Sequence, residues 1–241
     1  MVDLDNALVL KNRMVYFSNQ VLTNFNGAVL GLSGGLDSAI VLRILSECEK
    51  KPHCLIMPTN SSNKQNLDDA ILLAKKYSLM YKVINIQSIL DEFIKTSEST
   101  NKILTGNFAA RIRMTLLYDY SAKYNLLVAG TTNKSELMLG YGTIWGDLAC
   151  GFNILADFYK SELFEFAKFL QLPQNIIDKK PSADFYEGQS DEEDLGFSYY
   201  EIDKFLKDYE NNKVVDKRYE SLLNRIGRNE FKRKNIKIFK R

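Results

Sequence analysis

Apolar residues along the chain follow two alternating rhythms. Residues 4–25 read as an amphipathic helix, and "AVLGLS" from Ala28 follows as a short buried strand. "DSAIVLRILSECEK" is helical, "CLIMP" is a strand, and "NKQNLDDAILLAKKYSL" is a helix that Ser62 or Asn63 can cap. "YKVINI" is a strand, "SILDEFI" a short helix, and "NFAARIRMTLLYDYSAKYN" a long one. "LLVAGT" is a further strand and "KSELFEFAKFL" a later helix; after residue 170 the pattern shows helices and loops only. Strands separated by helices predict an α/β fold with a parallel sheet covered on both faces.

Composition adds bounds. The chain has 241 residues and only four prolines, with no linker-like stretch, repeat or low-complexity tract, so residues 1–241 are expected to form a single domain. Hydrophobic residues make up 45% and charged residues 26%, the balance of an ordinary globular protein. No run approaches the ~18 apolar residues of a membrane span. "MVDLDNALVL" opens with acids where a signal peptide would carry positive charge. Cys48, Cys54 and Cys150 are odd in number and lack C-x-x-C spacing. The expectation is a cytoplasmic protein with no membrane partner.

Net charge is +2, but its distribution is uneven. Lys213–Arg241 holds eleven Lys or Arg against Asp216, Glu220 and Glu230, a local charge of +8 that leaves −6 for the remainder. Tyr219, Leu222, Leu223 and Ile226 interleave this tail at helical spacing. A docked helix is therefore expected rather than a free polycationic arm, and no nucleic-acid partner.

The chemistry centres on "LGLSGGLDSAI", residues 30–40, which joins the first strand to its helix. Glycines there let backbone N–H groups approach an anion, and the helix adds its positive end. Ser33 and Ser38 add hydroxyls. A plain tight turn would need only Gly34 and Gly35; it would not need Asp37, whose carboxylate repels phosphate unless a cation lies between them. The spacings G-x-x-x-x-G-K-[ST] and G-x-G-x-x-G are both absent.

"SGGLDS" is similar to the pyrophosphate loop of enzymes that split ATP into AMP and pyrophosphate. "GNFAARIRM" (106–114), "GTTNKSELMLGYGT" (130–143), "GDLACGFN" (146–153), "YKSEL" (159–163) and "KPSADFYEGQSDEEDLGFSYYEID" (180–203) follow in order. Together they resemble ammonia-dependent NAD⁺ synthetase, an N-type ATP pyrophosphatase, from the first strand to about residue 210. The resemblance implies an adenine nucleotide alpha hydrolase-like fold, a doubly wound parallel sheet flanked by helices with a helical C-terminal part. It implies a homodimer that uses Mg²⁺, ATP and ammonia to convert nicotinic acid adenine dinucleotide (deamido-NAD) to NAD⁺.

Residue by residue, the resemblance assigns Gly31, Leu32, Ser33, Gly34, Gly35, Leu36, Asp37 and Ser38 to the ATP phosphates. Asp37 and Glu136 correspond to Mg²⁺ ligands, and Thr131, Lys160 and Ser182 to further ATP contacts. Arg111 corresponds to a dinucleotide contact, Asp147 to an acid near the amidation centre, and Lys232 to a phosphate contact. Taken singly, Glu136 reads equally as a surface helix acid and Lys160 as a solvated lysine. Arg111 and Arg113 fall on different helix faces, so at least one is structural or interfacial. His53 matches no motif and reads as an ordinary surface or loop residue.

The resemblance breaks where many family members carry a lysine and an aspartate and this chain has Ile144 and Gly151. "EFKRK" replaces a His-Lys pair, and Leu155 stands where proline is usual. No glutaminase portion is expected in 241 residues. Two other functions fit the loop alone: another adenylating or tRNA-thiolating enzyme, and a nucleotide-binding regulatory module. The two separated acids Asp37 and Glu136 argue against plain binding. The polar segment 182–195 is expected to be a lid over ATP.

Overall fold

The computed structural model describes residues 4–98, 101–182, 188–213, 216–234 and 238–239. Five strands form one parallel sheet: β1 (Ala28–Gly31), β2 (His53–Ile56), β3 (Met80–Val83), β4 (Leu127–Gly130) and β5 (Phe152–Asn153). Their spatial order is β3-β2-β1-β4-β5, so the chain winds outward from β1 in one direction and then returns to its other side. The winding reverses between β1 and β4, and a crevice opens there beyond the strands' carboxyl ends.

β1 explains why both faces are covered. Leu30 packs into a core with Ile40, Leu42 and Leu163, whereas neighbouring Val29 packs into a second core with Leu55, Ile112 and Val128. Successive strand residues point to opposite faces, so a fully apolar run requires helices on each. The first core lies under α1 (Leu4–Val21), α2 (Leu36–Leu45), α3 (Lys64–Lys76) and α7 (Lys160–Phe169). The second lies under α4 (Gln87–Ser97) and α5 (Lys102–Tyr124). β3 and β5 are the edge strands, and all four residues of β3 are exposed.

Several boundaries differ from the sequence pattern for local reasons. α1 ends at Val21 rather than residue 25. Asn63 caps α3 by accepting from the Gln65 N–H, while the Ser62 hydroxyl accepts from the Thr59 N–H. α5 starts earlier than "NF" because Asn101 accepts from the Ile103 and Leu104 N–H groups, and it stops at Asn125 with φ 52°. Two elements lacked a periodic signal. α6 (Lys134–Leu139) is a six-residue helix set by an Asn133–Glu136 capping box and ended by Gly140 at φ 59°. β5 has two residues and exists only by pairing with β4.

The C-terminal part is helical, with α8 (Gln174–Ile177), α9 (Asp191–Leu195), α10 (Tyr199–Glu210) and α11 (Glu220–Arg228). α6, α10 and α11 share a third core around Tyr199, Phe205, Leu222 and Ile226. The basic tail is thus docked through α11, as its apolar spacing predicts. Burying Leu222 and Ile226 contributes on the order of 3–6 kcal/mol, whereas exposed charges contribute ~0–1 kcal/mol each. His53 opens β2 half-buried, with Nδ1 3.3 Å from the Tyr120 hydroxyl. Of the segment 182–195, residues 183–187 lie outside the described residues. No described helix is long and apolar enough to cross a membrane.

Candidate active site

A cavity of about 630 Å³ occupies the β1–β4 crevice and extends to the C-terminal helices. At one end lies the Gly31–Ser38 loop. Gly34 takes φ +81°, and a Cβ there would come within 2.1 Å of the Asn66 carbonyl oxygen, so this position requires glycine. Lys179 fastens the turn from outside, donating to the Gly34 carbonyl at 2.9 Å, Asn66 Oδ1 at 2.7 Å and Asp69 Oδ2 at 2.7 Å. Both loop serines are engaged within it. Ser38 Oγ donates to the Gly35 carbonyl at 3.1 Å, and Ser33 Oγ accepts from the Gly35 N–H at 3.2 Å. They shape the loop before they touch anything else.

Asp37, in the first turn of α2, meets residues from two distant elements. Lys160 Nζ lies 2.5 Å from Asp37 Oδ2 and 3.8 Å from Glu136 Oε1. Asn133 Nδ2 donates to Asp37 Oδ2 at 3.4 Å. The sequence leaves open a solvated Lys160 and a surface Glu136; the structure buries Lys160 and leaves the Glu136 side chain only 14% exposed. Burial alone would lower the Lys160 pKa, but the Asp37 and Glu136 charges outweigh it and hold the ammonium above the usual lysine range. Burial, reinforced by Asp37, pushes Glu136 well above the ordinary carboxylate range.

Asp37 Oδ1 is buried and has no hydrogen-bond partner among the described residues. An orphaned carboxylate oxygen facing a second carboxylate is a donor set that suits a hard divalent cation. Asp191 is a third acid here, buried in α9, and it accepts from Tyr141 Oη at 3.0 Å and Tyr199 Oη at 3.3 Å. Burial raises its pKa against the opposing pull of Lys160.

Thr131, Ser182, Asp147 and Lys232 also line the cavity. Asp147 Oδ1 accepts from the Thr143 N–H at 3.0 Å. The acid is exposed to the cavity but set deep among protein atoms, and desolvation raises its pKa. Lys232 Nζ donates to the carbonyls of Gly140 at 2.9 Å and Gly142 at 2.8 Å. The two arginines diverge as their spacing predicts. Arg111 Nε donates to the Ile144 carbonyl at 3.3 Å, whereas Arg113, bonded to the Met57 carbonyl at 2.9 Å, is the one that lines the cavity.

Sequence reasoning did not single out Asp191 and Arg225, which line this cavity, or Asn133 and Tyr199, which bond to Asp37 and Asp191. Asn133 carried a signal in its capping box with Glu136. Asp191 and Tyr199 lie inside the quoted 180–203 stretch, where their polar setting reads as a lid. Arg225 lies on the helical tail and shows no motif.

The sheet reversal, the glycine loop and the paired acids around one lysine define a nucleotide-binding α/β protein of the pyrophosphate-loop class. The NAD synthase family matches residues 10–236, and this chain belongs to that family. It is 55% identical over 219 residues to the NH₃-dependent NAD⁺ synthetase of Campylobacter jejuni, covering 88% of this chain and 89% of that one. The solved NH₃-dependent NAD synthetase of Campylobacter jejuni, in complex with the nitrate ion, superposes with a TM-score of 0.86 at 44% identity over 100% of both chains. The solved NMN synthetase of Francisella tularensis superposes with a TM-score of 0.89 at 34% identity, covering 96% and 98%.

Lys160 neutralises a buried acidic pair, so its removal strands charge. Lys160→Met is expected to destabilise the protein by about 3 kcal/mol at neutral pH, measured by urea denaturation without nucleotide. A change below ~1 kcal/mol would show that water already solvates Asp37.

Proposed function

We infer that this chain catalyses the ATP-dependent amidation of deamido-NAD with ammonia to NAD⁺, the last step of NAD biosynthesis, and releases AMP and pyrophosphate. The observation that carries the reading is the Asp37–Lys160–Glu136 cluster at the mouth of the glycine loop, in a chain of the NAD synthase family. The nicotinate carboxylate resists nucleophiles because its own charge opposes attack. One of its oxygens attacks the α-phosphorus of ATP, and the bond to the bridging oxygen breaks as pyrophosphate leaves. The ammonia lone pair then adds to the activated carbonyl carbon. AMP departs with the former carboxylate oxygen, and the nitrogen loses one proton.

In this reading Gly31–Ser38 cradles the phosphates with backbone N–H groups, and Lys160 balances charge on the departing pyrophosphate. Thr131 and Ser182 hold the rest of ATP, and Asp147 borders the amidation centre. Asp37 and Glu136 would hold Mg²⁺, which supplies charge neutralisation to the phosphates when bound. The protein is proposed to work in the cytoplasm as a homodimer. Arg111, which is not part of this cavity's lining, contacts the dinucleotide near the subunit boundary. Light scattering at an active concentration should give a dimer mass; a monomer mass would exclude that arrangement.

Incubation with deamido-NAD, Mg-ATP and ammonium is expected to yield NAD⁺, AMP and pyrophosphate in equal amounts. ADP and inorganic phosphate as first products would refute the reading. The likeness to the Francisella protein favours a second reading, the same amidation of nicotinic acid mononucleotide. A higher kcat/KM with the mononucleotide would select it.

Asp37→Asn and Glu136→Gln keep shape but remove the charge a hard cation needs. Each is expected to slow pyrophosphate release about a hundredfold, the effect of losing ~3 kcal/mol of transition-state stabilisation. Preformed adenylate should still react with ammonia at close to the normal rate. Unchanged pyrophosphate release in both folded variants would assign the acids a structural role.

A further inference from the structure

Charges of both signs line the cavity. Asp37, Glu136 and Asp191 act on the buried ammonium of Lys160. Beside α11 the lining gains two cations, Arg225 and Lys232. Arg225 lines the cavity there, and its Nε is buried with no partner among the described residues. Its guanidinium carbon sits 5.1 Å from the centre of the Tyr141 ring, and no described carboxylate lies within ion-pair distance of it. Burial and the charges of Arg225 and Arg111 disfavour the charged form of Lys232 while Asp147 favours it, and its ammonium bonds to two neutral carbonyls. Desolvation also lowers the pKa of Arg225 itself.

A half-buried guanidinium that the Asp194 charge reaches only from beyond ion-pair distance is incompletely compensated, and its buried Nε–H without an acceptor adds to that cost. An anionic ligand would remove both penalties. The proposed function already gives the triphosphate of ATP to the Gly31–Ser38 loop, so an anion for Arg225 belongs to the other substrate. The nicotinate carboxylate is consumed at the α-phosphorus, which leaves the phosphate attached to its ribose. That group is common to the dinucleotide and the mononucleotide. In the mononucleotide it is a terminal monoester carrying close to two charges at neutral pH; in the dinucleotide it is an internal ester with one.

We propose that Arg225, with Lys232 beside it, forms the binding site for the acceptor's phosphate, and that Arg225 sets the balance between mononucleotide and dinucleotide acceptors. This rests on the amidation reading. The planar fork of Arg225 engages two phosphate oxygens at once, and the Tyr141 ring supports the guanidinium through a cation–π contact. Tyr141 is itself fixed, donating to Asp191 Oδ1 and Asp194 Oδ2 at 3.0 Å each.

The test compares Arg225→Gln and Arg225→Lys with the natural protein, using deamido-NAD and nicotinic acid mononucleotide as separate acceptors. Arg225→Gln should raise the acceptor KM by roughly ten- to a hundredfold, the range for a hydrogen bond to a charged group, and more for the mononucleotide. KM for Mg-ATP should stay within about twofold. Arg225→Lys, which keeps charge and loses the fork, should fall between. Calorimetric titration of deamido-NAD without ATP should show the same loss of affinity. An unchanged acceptor KM in folded Arg225→Gln, or an equal rise in the KM of Mg-ATP, would overturn the proposal. If Arg225→Gln does not fold, Arg225→Lys decides by the same two criteria. Failure of the natural protein to form AMP and pyrophosphate with either acceptor would refute the amidation reading; the calorimetric comparison would still decide whether Arg225 binds the phosphate.

Discussion

Lys160 placed between Asp37 and Glu136 is the constraint around which the rest of the site is arranged. Two carboxylates brought together in a poorly solvated crevice repel each other, and one ammonium at 2.5 and 3.8 Å compensates them. The three residues come from the first turns of α2, α6 and α7, so the cluster requires those helix starts to converge. Asp203 of α10 secures two of them. Its carboxylate accepts from the Ser135 hydroxyl and from the Ser161 N–H at 2.7 Å, while the Lys160 N–H donates to Ser135 Oγ at 2.9 Å. The C-terminal helices therefore hold the chemistry in register although they lie far along the chain.

The loop is held by a parallel device. Lys179 joins the Gly34 carbonyl to Asp69 of α3, and Asp69 also accepts from Gln65 and Asn175 at 2.9 Å each. Asp69 is 3% exposed and the Lys179 side chain 22%, so salt screens this pair only in part. With its serines bonded internally, the loop holds a preset shape, which would lower the entropy cost of gripping an anion there. Catalysis by positioning and charge neutralisation requires no side-chain nucleophile. Cys48 and Cys54 match that picture, since burial pushes their thiols up to about 11 and about 12.

Family membership makes the amidation chemistry the natural use of this cavity, whose lining includes Thr131 and Asp147. Ile144 and Gly151 carry neither the lysine nor the aspartate found there in many family members. The C-terminal tail instead brings Arg225 and Lys232 to the cavity wall.

Local rules made much of this legible in the one-dimensional chain. Apolar runs bounded by helical periodicity specify β1, β2, β4 and their helices because each pattern fits one backbone geometry. "SGGLDS" announces an anion cradle because glycines at a strand-to-helix turn expose backbone N–H groups there. The apolar spacing of Tyr219, Leu222, Leu223 and Ile226 announces a docked tail. Tertiary structure decided the rest. β5 is too short to carry a period and depends on β4. A sequence shows that Lys160 and Glu136 are charged, but their burial depends on helices closing from three regions. The choice of Arg113 over Arg111 at the cavity depends on how α5 is rotated against the sheet. Arg225 becomes a cavity residue only because Leu222 and Ile226 anchor α11 against α10 and against α6, whose residues lie more than eighty positions away.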